Sequence, residues 1–329
     1  MILKSKLSII EVERGLIRNE GIPLGFIITD RNVFERNKES LKNRKEMFVI
    51  EPGEKSKSIE IYMQILKKLS EIDFVERIIA FGGGVVGDIA GFVASTYKRG
   101  IELIQIPTTL LAMVDSGIGG KNGIDIGLKK NYVGTIYQPK KILIDSSFLD
   151  SLPEKEFSNG LAEMIKHSYI MNKPKLERFC KKVNKNDKDI NEIILKSAEV
   201  KIKITEKDTK DNGLRKALNF GHTIGHAIEL LHNLSHGEAI SIGMVKEAML
   251  ANKIGLVKQD KIDSLIKSFE VNGLPISWPK GASAEKIIEI MKYDKKGAFL
   301  FAFDIKNHNK FINEKTVRDF LKEDIDLND

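Results

Sequence analysis

One cysteine, Cys180, stands in 329 residues, so no intrachain disulfide can form and a reducing compartment suits the chain. Absent too is an arginine-rich stripe with interleaved aromatics. Lysine alternates with glutamate, as in "KITEKDTKD", and the net charge of +7 reads as a solvated face, which argues against a nucleic-acid partner. The first residues, "MILKSKLSIIEVERG", lack the unbroken apolar core and small-residue cleavage site of a signal peptide, and a cytoplasmic protein is expected. Residues 78–97 come nearest to a membrane span, yet their five glycines and central Asp88 fit a buried strand, turn and helix, so no membrane partner is expected. No internal repeat or low-complexity linker appears. What remains is a globular composition, 42% hydrophobic and 30% charged, long enough for about two domains.

The halves differ in grammar. From residue 24 to about 145, β-rich runs ("LGFIITD", "EMFVIE", "ERIIAFGGG", "IELIQIP", "KKILID") alternate with helical ones, the pattern of an α/β domain with a mainly parallel sheet. After residue 150 the segments are amphipathic and helical, as in "NGLAEMIKHSYIM" and "INEIILKSAEVKIKITEKD". The expected organisation is an α/β domain over residues 1–150 and a mainly α-helical domain over 151–329, with a cleft between them.

"IIAFGGGVVGDIAGF" contains G-x-G-x-x-G at Gly82, Gly84 and Gly87, between an apolar run and a helical one. Such a turn exposes amides to a phosphate. The motif is weak alone: it follows two earlier strands, and no acidic residue closes a strand about 20 positions on. Glu54 and Lys57 in "EPGEKSKS" and Thr108 and Thr109 in "IPTTLL" add polar groups at neighbouring strand ends, where nucleotides bind in such sheets.

Four of six histidines lie in "LRKALNFGHTIGHAIELLHNLSHGE", read as a helix from about Leu218 to Leu231 and then a turn. His222 and His226 share a helical face and could chelate one metal, with His236 arriving from the turn. "GLAEMIKHS" offers Glu163 as a carboxylate ligand, with Lys166 one turn on, and spacing alone leaves open which two histidines ligate. "VDSGIGGKNGIDIGLKKNYVG" reads as a glycine-rich surface loop whose Asp115, Lys121, Lys130 and Asn131 suit a phosphorylated, carboxylated substrate. Arg215 and Asn219 precede His222.

Together "GGGVVGDIAGFVASTYKRGI", "IPTTLLAMVDSGIGGKNGIDIGLKKN", "GLAEMIKH", "LRKALNFGHTIGHAIE", "HGEAISIGM" and "YDKK" strongly resemble the 3-dehydroquinate synthase family of sugar phosphate cyclases, in order, from about Asp30 to Lys296. The resemblance implies a Rossmann-like NAD-binding domain, a helical domain holding a divalent metal (zinc, with cobalt as the alternative), and a homodimer. It also implies conversion of a phosphorylated sugar acid, 3-deoxy-D-arabino-heptulosonate 7-phosphate, to 3-dehydroquinate and phosphate. The steps implied are oxidation, phosphate elimination, reduction, ring opening and intramolecular aldol closure.

By the same resemblance Glu163, His222 and His236 match the metal ligands, and His226, Lys166 and Asp211 match catalytic positions. NAD contacts fall on Asp30, Asn32, Glu54, Lys57, Gly83, Gly84, Val85, Asp88, Thr108 and Thr109, with Lys121 and Lys130 nearby and Phe148, Leu149, Asp150 and Ser151 at the border. Substrate contacts fall on Asp115, Lys121, Lys130, Asn131, Asn159, Lys166, Lys201, Arg215, Asn219 and His226. Arg99, donated across a dimer interface, and the pair Lys295 and Lys296 would meet the phosphate. His232 is expected to be a plain helix-end residue.

The chain departs from the family pattern at Gly117, where a serine is usual, at Asn122 for threonine, at Asp211 for glutamate, and in the turn "EPGEKSK". Rival readings are a cyclase making a valiolone or inosose ring, opposed by Arg215, Asn219 and Lys201, and a metal-dependent polyol dehydrogenase, which would not need so many cations. The rival from another class is a basic nucleic-acid-binding protein.

Overall fold

The computed structural model describes residues 1–127, 129–292 and 298–327. The chain divides into two compact units, Met1–Phe157 with Lys185–Thr209, and Ser158–Asn184 with Lys210–Asp329.

In the first unit the strands are β1 (Ile2–Lys4), β2 (Ile9–Glu13), β3 (Phe26–Asp30), β4 (Met47–Ile50), β5 (Arg77–Gly82), β6 (Glu102–Pro107), the hairpin β7 (Lys121–Ile126) and β8 (Lys129–Ile136), and β9 (Lys141–Asp145). Seven form one sheet in the order β1-β2-β9-β6-β5-β3-β4, parallel except where β1 meets β2. The central strands read as unbroken apolar runs because both faces are covered: Ile78, Ile79, Ala80 and Phe81 on β5 are all buried. Its helices are α1 (Leu16–Glu20), α2 (Arg31–Arg36), α3 (Lys38–Leu41), α4 (Ile59–Ser70) and α5 (Gly84–Thr96), with α6 (Glu154–Met171) beginning here and continuing into the second unit, and α7 (Ile190–Lys207) returning to pack on the turn Ala112–Ser116.

The five strands read from the sequence form. Residues 114–134, expected as a loop, instead make a π-helical turn, Ala112–Ser116, and the β7–β8 hairpin. β8 is exposed along nearly its whole length, so it carries no alternation of apolar and polar residues to announce it.

The second unit holds α8 (His222–His232), α9 (His236–Lys253), α10 (Gln259–Val271), α11 (Ala284–Lys292), the two-stranded ribbon β10 (Ala298–Phe301) and β11 (Lys310–Asn313), and α12 (Glu314–Asp326). α8 and α9 pack at close quarters. A Cβ on Gly243 would lie 2.1 Å from the Gly221 carbonyl oxygen and 2.7 Å from the Gly225 nitrogen, so only glycine permits this crossing. α8 begins at His222, four residues later than expected. Leu214–Asn219 turns as a 3-10 helix and Gly221 takes a left-handed conformation, φ 82°, that stops any α-helix from running through. Among the described residues no helix is long and apolar enough to cross a membrane.

Candidate active site

Chain order reverses in the first sheet between β3 and β5: after β3 the chain goes to the edge strand β4 and then back to the other side of β3. A crevice opens beyond the carboxyl ends of strands at such a point. There lies a cavity of about 600 Å³, lined by Asp30, Asn32, Glu54, Lys57, Gly83, Gly84, Val85, Asp88, Thr108, Thr109, Phe148 and Ser151. All twelve were expected at the cofactor.

Gly83 caps α5 without any side-chain hydrogen bond, which leaves the first amides of a thirteen-residue helix for an anion. Lys57 Nζ lies 2.8 Å from Asp88 Oδ2 and 3.3 Å from Glu54 Oε1. Burial pushes the Asp88 carboxyl up to about 6, with Lys57 pulling against the rise. Paired with the Lys57 ammonium, Asp88 is a weaker repeller of a pyrophosphate than its place in the sequence suggests.

Four of the expected cofactor residues do not line this cavity. Leu149 is fully buried in the core, Asp150 pairs with Arg14 at 2.6 Å, and Lys121 and Lys130 are exposed on the β7–β8 hairpin. Arg36 and Ser116 do line it, although no motif had singled them out; Arg36 donates to the Ser151 carbonyl at 2.8 Å.

The second unit gathers the acid and the imidazoles. Glu163 on α6 is fully buried; its Oε1 faces His236 Nε2 at 3.2 Å and His222 Nε2 at 3.6 Å, while Oε2 pairs with Lys166, one turn on and itself 1% exposed. His222 and His236 are the first residues of α8 and α9. The start of α9 is set by a capping box between Ser235 and Glu238. His222 Nδ1 lies 3.1 Å from the Phe220 carbonyl, and His236 Nδ1 lies 3.6 Å from Glu229 Oε2, so each ring is oriented through its far nitrogen. The sequence reading missed Glu229, one turn after His226.

Charge decides what this cluster wants. Burial, reinforced by Lys166, holds the His222 imidazole well below its ordinary pKa, so it is neutral. As Nδ1 donates to Phe220, a lone pair on Nε2 points at a carboxylate oxygen. Two lone pairs face each other, an arrangement that a cation between them relieves. Ligand atoms about 2.1 Å from a tetrahedral ion stand about 3.4 Å apart, and the observed 3.2 and 3.6 Å bracket that edge. His236 is driven the other way: Glu163 and Glu229 outweigh its burial and push it up to about 9. Glu163 stays well below the usual carboxylate range, because Lys166 and the two imidazoles outweigh its own burial.

His226 is exposed, with its ring 5.1 Å from His222 and edge-on to it. It belongs to a second donor group, His226, Glu229 and His236, which shares His236 with the first. The pairing of His222 with His226 that helical spacing suggests is real as a shared face, but the buried carboxylate meets His222 and His236. Asn219, His222 and His226 line a cavity of about 690 Å³ walled by Ile290, Met291 and Phe299.

Lys201 and Asp115 form a 2.6 Å ion pair in the first unit. Arg99 is exposed at φ 66°, and Asn131, at φ 50°, donates its amide to Asp125. Asn159 accepts from the Gly237 amide at 2.8 Å, Arg215 is buried, and Asp211 has φ 61°. Lys295 and Lys296 lie outside the described residues.

Residues 47–159 match the family described as 3-dehydroquinate synthase N-terminal, and residues 160–297 the one described as 3-dehydroquinate synthase C-terminal. The chain belongs to the 3-dehydroquinate synthase family. A 3-dehydroquinate synthase of Streptococcus pyogenes serotype M6 is 46% identical over 257 residues, 76% of this chain and 72% of the relative. One from Thermoanaerobacter pseudethanolicus is 42% identical over 287 residues, 82% of this chain and 80% of the relative. Among solved structures, a 2-deoxy-scyllo-inosose synthase complexed with carbaglucose-6-phosphate, NAD+ and Co2+ aligns with TM-score 0.84 at 22% identity, covering 98% of this chain and all (100%) of that one. A 2-epi-5-epi-valiolone synthase from Streptomyces hygroscopicus with NAD+ and Zn2+ aligns with TM-score 0.79 at 24% identity, covering 99% of each. The last two share the 3-dehydroquinate synthase fold.

Proposed function

We propose that the chain converts 3-deoxy-D-arabino-heptulosonate 7-phosphate to 3-dehydroquinate and phosphate, a reading supported by relatives named 3-dehydroquinate synthase at 46% and 42% identity. It would use NAD that is regenerated each turnover and one divalent ion, zinc or else cobalt, held by Glu163, His222 and His236. One observation carries the ion: Nε2 of His222 and Nε2 of His236 stand 3.6 and 3.2 Å from the same oxygen of the buried Glu163 carboxylate. When bound, NAD would supply a reversible hydride acceptor, and the ion held by Glu163, His222 and His236 would polarise substrate hydroxyls.

The chain's own groups do the rest. Lys166 occupies Oε2 of Glu163, so the carboxylate turns Oε1 to the ion. Lys57 and Glu54 surround Asp88, and the uncapped amides of α5 receive the pyrophosphate. His226, exposed beside His222, moves a proton at the substrate. Lys201, Arg215, Lys121, Lys130 and Asp115, with the amides of Asn131, Asn159 and Asn219, hold carboxylate, ring hydroxyls and phosphate. Arg99 reaches the phosphate from a second copy of the chain, and Asp211 takes the catalytic position where glutamate is usual. Exposed Tyr132 and Ile136 on β8 supply apolar surface for a dimer. A cytoplasmic setting accords with the lone Cys180.

The purified protein with zinc and catalytic NAD is expected to release phosphate from this substrate without accumulating NADH. No release, or NADH formed in proportion to substrate, overturns the reading; release only from a different sugar phosphate would assign a related cyclase. His236→Ala is expected to lose the ion, and unchanged metal content would transfer the assignment away from Glu163, His222 and His236.

A further inference from the structure

Glu247 lies on α9, eleven residues beyond His236, and is fully buried. Its Oε2 accepts from the Gly221 amide at 2.8 Å and its Oε1 from the Ile224 amide at 3.0 Å. These are amides of the first turn of α8, a helix whose N-cap, Gly221, has no side chain to satisfy them. His222 sits between the two. The carboxylate of one helix therefore performs the N-capping of the other, across the crossing that Gly221, Gly225 and Gly243 hold tight.

A buried carboxylate is costly unless its oxygens are filled. Here the amides of Gly221 and Ile224 fill both of them. Nothing in the proposed chemistry uses it. What it fixes is the height of the α8 start on α9, and both ends of that fixture carry an imidazole: His222 is the first residue of α8 and His236 the first of α9.

We propose that Glu247 is a positioning residue of the metal centre, clamping the first turn of α8 to α9 so that the imidazoles of His222 and His236 keep the spacing one divalent ion requires. The inference rests on the metal assignment above. It makes a specific demand on side-chain chemistry. Two amides need two acceptors, and glutamine, though equal in size, has one; its NH2 would face an N–H.

The test compares the full-length protein with Glu247→Gln and Glu247→Ala, each titrated with cobalt(II) against a competing chelator and followed by its visible absorption. Thermal unfolding, far-UV circular dichroism and NAD affinity are recorded in parallel. Leu265→Ala on α10, another fully buried position of the second unit, controls for general loss of stability. The expected result is that Glu247→Gln keeps its helical content and binds NAD within twofold of the parent, but loses tenfold or more in cobalt affinity with a changed absorption spectrum, while Leu265→Ala keeps both. Parent-like cobalt affinity and spectrum in Glu247→Gln overturn the inference and leave the metal assignment standing. So does an equal loss in Leu265→Ala. If Glu247→Ala does not fold, the glutamine variant decides alone. A parent protein that takes up no cobalt overturns the metal assignment itself, and the inference with it.

Discussion

Asn122 and Gly91 share one space. A Cβ on Gly91 would stand 1.9 Å from Asn122 Oδ1, and that amide cannot swing away because its Nδ2 donates to the Gly120 and Tyr137 carbonyls at 2.7 and 3.0 Å. Gly→Ala inside a helix normally stabilises by about 0.5–1 kcal/mol. Here Gly91→Ala is expected to destabilise by about 1–3 kcal/mol in urea unfolding. Pairing it with Asn122→Ala should cost less than the two single changes added, since the second opens the space that the first fills.

Two of the departures from the family pattern acquire reasons at this scale. Asn122 is a buried strut between β7 and α5, and Gly117 ends the π-helical turn where a Cβ would meet the Ala112 carbonyl at 2.6 Å. Neither reason was legible in the sequence: Asn122 depends on Gly91, distant in the chain, and Gly117 on a π-helical turn that no spacing announces. Asp88 is a third case. Its folded pKa, about 6, stands above its ordinary value, so the stability it contributes is fully present below about pH 4 and is lost as pH rises through about 6. Carboxyl NMR should find it titrating near 6, and Lys57→Met should raise that value, since Lys57 opposes the shift. A titration near 4 would contradict the burial that causes it.

At the scale of elements, the crossing of α8 and α9 is the least tolerant feature. The atoms that would meet a Cβ on Gly243 are backbone, which cannot rotate aside. Gly243→Ala is expected to cost about 3 kcal/mol or more and to abolish metal binding, measured by thermal unfolding and metal analysis. Retention of both would show that the helices separate cheaply.

The sequence made the two helices and their histidines visible through apolar spacing. It hid the start of α8, since "LRKALNF" has helical periodicity and only the left-handed Gly221 breaks it. It hid Glu229 and Glu247 as well, because a carboxylate on an amphipathic helix looks solvated until the facing helix is placed. Strand β8 escaped notice for the opposite reason: a strand exposed on both sides leaves no pattern. The core strands of the sheet were legible because burial on both faces produces continuous apolar runs.

At the scale of the whole molecule, the first unit holds a nucleotide-sized cavity and the second holds the acid–imidazole cluster. Each ligand stabilises whatever it binds in the folded state, by about 2.7 kcal/mol at a hundred times its Kd. Calorimetry should therefore show a higher Tm with added NAD and a lower one after chelation, the two shifts being separable by omitting either ligand. A chain indifferent to both would have neither site.

The first-residue position of His222 and His236 reaches further than spacing. Side chains lean toward the amino end of their own helix, and that end carries about half a positive elementary charge. Two such ends, those of α8 and α9, converge on one carboxylate. Each of those ends is answered by a carboxylate of the protein itself, Glu247 at the start of α8 and Glu238 at the start of α9. The helix field that would oppose a cation is therefore largely cancelled before it reaches one, which leaves the charge of Glu163 to attract it.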